Sequence, residues 1–491
     1  MQQKKSVTRW QIGAYALPSI PMSALGLPIV VYLPPFYGHE MGLGLTVAGT
    51  IFMLARFWDV FTDPVLGMVS DRFPSRWGRR RHWIVLSTPI LLVSGYMLFM
   101  PNPPVTWVYL AVWMFVLYIG WTLLTISHMS WGAELSEDYD ERSTIQGMRE
   151  FLLILGMFTV LALPAIIEMV AEEGAGGREK VAAMGWFILI LLPITVALAV
   201  WKAPEFKSVP HAQIPWQKAW AIIARNRLLQ RVLLADLLVN IARNRLLQRV
   251  LLADLLVNIA PAITGSLYIF FAIHVMELPR HASLLLLVYF IFGFVGIPFW
   301  IRLSHMAGKH KTLAIAMVYG AISLPLVVFF PRGEFWWLFL GNSLYGIAYG
   351  AGSFLLRSIM ADVIDTDYLK SGQRRTGLYY SLLTMTAKIG AALAVGITYP
   401  ILDYIGFMPG GGNSPETLNE FMAMYVTLPA ITMLAAAFVM WGFPLDKAAQ
   451  EKLRAEIRAL EGEHKPHDAA DAAAAVVQVG SAGGIVDRAG D

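Results

Sequence analysis

Twelve apolar runs, each long enough to cross a lipid bilayer, divide this chain of 491 residues. They lie near 11–37, 44–70, 82–101, 105–133, 147–170 and 182–202, then near 246–276, 282–302, 312–330, 334–360, 376–402 and 420–443. A membrane-spanning helix needs about 20 predominantly apolar residues. In hydrocarbon only helices and closed barrels satisfy every backbone polar group. Barrel strands alternate polar with apolar residues, and these runs do not. The chain is therefore read as an all-α polytopic membrane protein of 12 transmembrane helices in two six-helix bundles. Charged residues make up only 15% and hydrophobic ones 57%, against about 25% charged in soluble domains. A water-soluble enzyme is excluded. The first run is too long for a signal peptide and is expected to stay in the chain as the first helix.

The net charge of +4 does not point to nucleic acid, because the basic residues sit in short loops between the runs. About thirty Lys and Arg fall on the side of the N-terminus, whereas the other side holds only Arg178, Lys180, Arg280 and Arg332. The positive-inside rule then places both termini in the cytoplasm. No cysteine is present, so disulfides and thiolate chemistry are absent. The expected organisation is residues 1–203 as the first bundle, 204–245 as a cytoplasmic central loop, 246–445 as the second bundle and 446–491 as a cytoplasmic tail. Past about 461 the tail, rich in Ala, Gly and Asp, reads as disordered.

Residues 223–240 read IARNRLLQRVLLADLLVN, and 241–258 repeat them without a difference. Eighteen residues are five helical turns, so the insert preserves the helix face of everything downstream. Only the second copy continues into a long apolar run and is assigned to helix 7. The first, interrupted by Asp236, is expected as an amphipathic helix on the cytoplasmic side or an extension of helix 7. A recent tandem duplication or an assembly error accounts for the identity better than a designed function.

Ionisable residues at membrane depth are costly and mark function. In helix 2, Asp59 and Asp63 are four residues apart and share a face. Two carboxylates in a low dielectric share a proton or bind a cation, unless they are tied up by Arg56 or Lys388. Lys388 lies about a third of the way into helix 11, too deep to snorkel easily, and the helix 2 pair is its natural partner across the halves. Arg149, beside Glu150 at the inner end of helix 5, either clamps an anionic or hydroxylated ligand or forms a salt bridge at the membrane edge. Asp254 in helix 7 has no evident partner and is expected to face a vestibule. Trp58, Trp121 and Trp131 either stack on a sugar ring or pack and anchor the helices.

The loop after helix 2 holds Gly67, Asp71, Arg72, Gly78, Arg79, Arg80 and Arg81. It is either a topology signal or a latch in which Asp71 caps a helix end and the arginines pair with neighbouring acids.

At these residues the chain resembles the major facilitator superfamily, and within it the glycoside–pentoside–hexuronide:cation symporters typified by the melibiose permease. Trp58-Asp59 with Asp63-Pro64 is similar to that family's helix 2 cation motif. Ala133-Glu134-Leu135-Ser136 with Glu141-Arg142 resembles its loop 4–5. Asp362 and Asp365, and the stretch from Tyr380 to Gly390 around Lys388, resemble its loop 10–11 and helix 11. The likeness spans about residues 10–445, apart from the extra copy.

The resemblance implies a secondary active transporter and no enzyme. Cation-coupled symport of a sugar, glycoside or uronate-type solute is expected, with sodium or proton as coupling ion and no other cofactor. Asp59, Asp63 and Thr122 would bind the cation, the two acids serving as its metal ligands. Arg149, Thr125, Lys388 and Trp121 would contact substrate. Asp71, Arg72, Arg79, Arg80, Glu134, Asp362 and Asp365 would gate. The family's helix 1 sugar aspartate falls at Pro18 here, its helix 4 aspartate at Thr125, the neighbouring tryptophan at Met129, and the asparagine between the helix 2 acids at Thr62. The cation residues are kept and the galactoside residues replaced. Two rivals remain: movement of a lysolipid or other amphiphile on the same fold, and a transport-dead membrane sensor. Expected partners are a small-molecule substrate and membrane lipid, with no nucleic acid. The expected form is a monomer in a bacterial cytoplasmic (inner) membrane.

Overall fold

The computed structural model describes residues 7–72, 75, 78–136, 139–170, 176–205, 244–372, 375–445, 449–453 and 455–457. The first copy of the 18-residue repeat and the tail past 461 lie outside the described residues.

Among the described residues, twelve helices long and apolar enough to cross a membrane follow one another. They are α1 Arg9–Val31, α2 Leu45–Arg72, α3 Arg81–Phe99, α4 Trp107–Glu134, α5 Tyr139–Val170 and α6 Gly177–Lys202, then α7 Arg245–Val275, α8 Ala282–Ala307, α9 Lys309–Phe329, α10 Phe335–Ser371, α11 Thr376–Tyr404 and α12 Pro415–Met440. The end of the molecule carrying the start of α1 is called here the terminal face. The end carrying the α1–α2 connection is the opposite face.

Local chemistry sets the boundaries. Thr8 and Gln11 form a reciprocal capping box at the start of α1, satisfying two orphan backbone donors. Pro18 has no N–H to give, and α1 is interrupted at Leu17 before resuming at Ser19. Asn244, in the second repeat copy, accepts from the Leu247 N–H and caps α7. That copy supplies the first turns of α7, as its apolar continuation requires. Ser414 caps α12 with Pro415 at its first position. α10 runs on past the apolar stretch to Ser371, because its polar last turns find partners outside the bilayer region. It stops at Gly372, whose φ of +66° is the left-handed cap glycine favours.

One segment recurs in both halves. Phe36–Glu40 and Phe271–Val275 are single π-turns closing α1 and α7. Met41 N–H donates to Phe36 C=O and Leu43 N–H to Tyr37 C=O. Met276 and Leu278 repeat these bonds to Phe271 and Ala272. The next residue after each methionine, Gly42 or Glu277, takes a positive φ. Both stretches share the spacing Phe-x-x-His-x-Met-x-Leu, a trace of repeated halves that hydropathy does not reveal.

Within the first half α3 packs on α4 and α1 on α5; within the second α8 packs on α10 and α7 on α11 and α12. Between the halves α2 packs along α11, α5 along α8 and α1 along α7. One continuous buried apolar core runs through both halves.

Candidate functional site

The α2–α11 contact carries charge. Asp59 is fully buried, and the Lys388 ammonium lies 2.7 Å from its carboxylate while also pairing with Asp63. Thr122 of α4 sits against both acids, its Oγ1 3.0 Å from Asp59 Oδ1 and 2.9 Å from Asp63 Oδ1. A hydroxyl has one proton to donate. Two carboxylate oxygens around it are both satisfied only when one acid carries a proton or a cation lies between them. Two carboxylates face one ammonium, and the next cation, Arg56, is 4.0 Å from Asp59 and stacked over the Tyr118 ring. Arg56 and Lys388 together balance the two acids, Arg56 at the edge of ion-pair distance. Helical spacing brings the acids to one face, and the approach of α11 supplies the lysine.

Among the described residues no group of three or more His, Cys, Asp or Glu is placed to hold a metal ion. Asp59 and Asp63 form a two-carboxylate site with an ammonium seated on it.

A cavity of about 420 Å³ opens between the halves, within the range of small-molecule sites. α1 and α5 contribute Ser23, Leu27, Leu153 and Met157; α7, α8, α10 and α12 contribute a tyrosine-rich wall. Ala387 and Ala391 of α11 line it too, flanking Lys388 in sequence. Arg149, Thr125 and Trp121 are not among its lining residues. Arg149 pairs with Glu150 at 3.0 Å. The Thr125 hydroxyl donates into its own helix, to Trp121 and Thr122 carbonyls. The Trp121 ring packs on Gly26 of α1. Asp254 also departs from expectation: instead of facing a vestibule unpartnered, it is buried and accepts from the Thr386 hydroxyl of α11 at 2.6 Å. The two helices meet closely there, at Gly390.

At the terminal face the expected gating residues pair within a half. Arg80 donates to Glu134 from Nε at 3.1 Å and Nη2 at 2.9 Å. Its backbone N–H donates to Glu205 at 2.6 Å, so Glu205 seals the start of α3. Asp362 takes Lys309 at 2.6 Å and Gln450 at 2.7 Å. Arg79 and Asp365 are partly exposed nearby in sequence. Asp71 and Arg72 end α2, and their side chains lie outside the described set.

The opposite face is bolted across the halves by residues the sequence reading did not single out. Glu168, at the end of α5, is buried and accepts from the Ser283 N–H at 2.8 Å and the Ser283 hydroxyl at 2.7 Å, at the first turn of α8. A carboxylate at a helix N-terminus satisfies orphan donors and the helix dipole. Lys180 of α6 completes the cluster 2.8 Å from Glu168, and Tyr32 donates to Ser283 at 3.0 Å. Thr46 and Asp403 join α2 to α11 at the same end. Glu168 near the close of an apolar run was the available signal, since an acid there calls for a partner.

The family model described as MFS/sugar transport protein matches residues 14–447. The chain belongs to this family. It is a multi-pass membrane transporter of the major facilitator fold and not an enzyme. It is 23% identical over 461 residues to the isoprimeverose transporter of Lactiplantibacillus pentosus, covering 90% of this chain and 89% of that one. It is 23% identical over 433 residues to the glucuronide carrier protein homolog of Escherichia coli, covering 86% and 89%. The crystal structure of a D-xylose-proton symporter superposes with a TM-score of 0.61 at 14% identity, covering 89% of this chain and 98% of that one. Both sequence relatives are transporters, and the solved structure shares the fold.

Proposed function

We propose that this transporter is a symporter that moves a sugar-like solute, a glycoside or uronate among them, with a sodium ion or proton by alternating access. The observation that carries the reading is the Asp59–Thr122–Asp63 cluster closed by Lys388 from the other half. A cation arriving at the acids competes with the ammonium and so loosens or tightens the α2–α11 contact. Ion occupancy thereby biases how the halves sit, which is what coupling requires. The solute cavity reaches the same lysine-bearing helix through Ala387 and Ala391, so substrate and ion act on one element. The names of the relatives, an isoprimeverose transporter and a glucuronide carrier protein homolog, favour a sugar-like cargo.

With both termini cytoplasmic in a bacterial inner membrane, the bolted opposite face is the outside. The conformation is then inward-facing, with Glu168–Ser283 as the outer gate. Reconstitution into vesicles tests the reading: an imposed sodium or proton gradient should drive uptake of a sugar above equilibrium, and Asp59→Asn should abolish it. Accumulation without either gradient, or undiminished in the variant, would overturn the coupling role of the cluster.

A further inference from the structure

We infer that the substrate is an uncharged glycoside carrying an aromatic or similarly flat aglycone, bound with that group against the second half. This rests on the symport reading and names its cargo class.

Five tyrosines, at 268, 289, 345, 349 and 425, line the cavity, with Phe290 and Phe294 beside them. Tyr289 and Tyr345 stack at 5.4 Å with their planes 29° apart, and Tyr349 tilts onto Tyr289 at 5.4 Å. Tyr425 is fixed from behind by stacking on Phe271 at 3.9 Å. Such a wall offers ring faces and edges already held in place, the geometry in which aromatic partners gain beyond simple burial. It also serves the apolar faces of sugars, and a flat aglycone extends that contact beyond one sugar ring.

The polar groups are few and neutral. Asn342 spends both amide hydrogens on the Tyr268 hydroxyl and the Leu285 carbonyl, at 2.8 Å each, leaving its carbonyl as an acceptor. Asn258 donates one amide hydrogen to the Asp254 carbonyl at 2.7 Å, which leaves its second N–H and its carbonyl. Asn258 lies against α11 at Gly390, close to where Ala387 enters the lining. The Tyr345 hydroxyl, buried, closes no hydrogen bond of normal length. Hydroxyls of a sugar suit these groups.

Among the described residues no charged side chain lines the cavity. Lys388, the cation next to it in sequence, is occupied by two carboxylates. A uronate carboxylate would enter without a counter-charge, and an unpaired ion in an apolar site is costly. The ligand is thus neutral, with its hydroxyls toward Asn258 of α7 and Asn342 and Tyr345 of α10, and its flat end against the rings of Tyr289, Tyr349 and Tyr425.

The test is calorimetry on the full-length protein in lipid nanodiscs. The probes are matched methyl and phenyl glycosides of glucose, galactose and xylose, with phenyl β-glucuronide and oleoyl lysophosphatidylcholine as further arms. In at least one pair the phenyl member should bind about tenfold tighter, equivalent to about 1.4 kcal/mol. Phenyl glucuronide should bind at least about tenfold more weakly than phenyl glucoside or galactoside. Tyr289→Leu should weaken the phenyl member more than its methyl partner and so narrow the gap between them. Tyr345→Phe, which keeps the ring and the packing, should retain the phenyl preference and weaken both members. Equal methyl and phenyl affinities, a tighter glucuronide, displacement of the sugars by the lysolipid, or no binding by any probe would each overturn the inference. Failure of the symport reading shows separately, as the absence of gradient-driven uptake of any solute.

Discussion

Lys388 and Asp59 stand 2.7 Å apart on helices 329 positions distant in sequence (388 − 59), and their contact ties the two halves of the transporter together. Asp59 is fully buried, whereas Lys388 and Asp63 keep partial access to water. The ammonium is therefore held by one acid that water does not reach and another that an ion can reach. In the proposed symport, exchange of the lysine for a coupling cation would begin at Asp63.

Lys388→Met should raise cation affinity. Removing the ammonium leaves Asp59 and Asp63 sharing Thr122, with Arg56 4.0 Å from Asp59 as the remaining cation, and two neighbouring carboxylates recruit a proton or metal ion. Thermal unfolding of the variant should respond to sodium or to acid at concentrations about tenfold lower than in the parent, by binding linkage. Transport should stop, because the helix-to-helix exchange has lost its competitor. An unchanged ion response would mean that the lysine does not occupy the ion's place.

Asp63→Asn and Asp59→Asn should differ. Loss of the accessible acid weakens ion capture and leaves the Lys388–Asp59 pair intact. Loss of the buried acid leaves the ammonium with one partner, and removing one member of a buried pair typically costs about 3–5 kcal/mol. Asp59→Asn should lower the unfolding temperature more than Asp63→Asn, while both abolish accumulation and Asp63→Asn preserves downhill exchange. Scanning calorimetry and counterflow in vesicles separate the two.

Glu168→Gln should unlock the opposite face. The amide keeps a hydrogen-bonding oxygen for Ser283 but loses the charge that neutralises Lys180, itself largely buried. A cysteine placed at Leu286, which lines the cavity, reports access without background because the chain has no cysteine. Its labelling by an impermeant maleimide from the opposite face should rise at least about fivefold, matching a shift of about 1 kcal/mol.

Gly49→Val should block closure at that face. A Cβ on Gly49 would stand 2.7 Å from Tyr399 Cβ across the α2–α11 contact, nearer than van der Waals contact allows. The same cysteine reporter should label faster, ligand binding should survive, and uptake should fall to background. Gly49→Ala is expected to show the same changes in milder form.

The amount legible in sequence differed between residues for identifiable reasons. Asp59 and Asp63 stood out because a charge inside an apolar run is visible without any fold. The assignment of the second repeat copy to α7 followed from the apolar run behind it, and Asn244 capping confirms the start. Glu168 was overlooked because it sits near the end of its run, where an acid passes as an interfacial residue. The family resemblance put Arg149 and Thr125 at the substrate; in the structure Arg149 pairs with Glu150, the alternative its sequence neighbour offered, and the Thr125 hydroxyl bonds carbonyls of its own helix.

Hydropathy by itself determined that this chain spans a membrane twelve times, because hydrocarbon leaves a backbone no partner but its own helix. The sequence also determined which few charges must be buried, since each stands in a run that must cross. Only the tertiary structure decided who meets whom: that α11 delivers Lys388 to the helix 2 acids, that Glu168 caps α8, and that tyrosines from four helices form one uncharged wall. Those contacts depend on how helices turn and cross, and a periodicity of 3.6 residues defines a face without saying what lies opposite it.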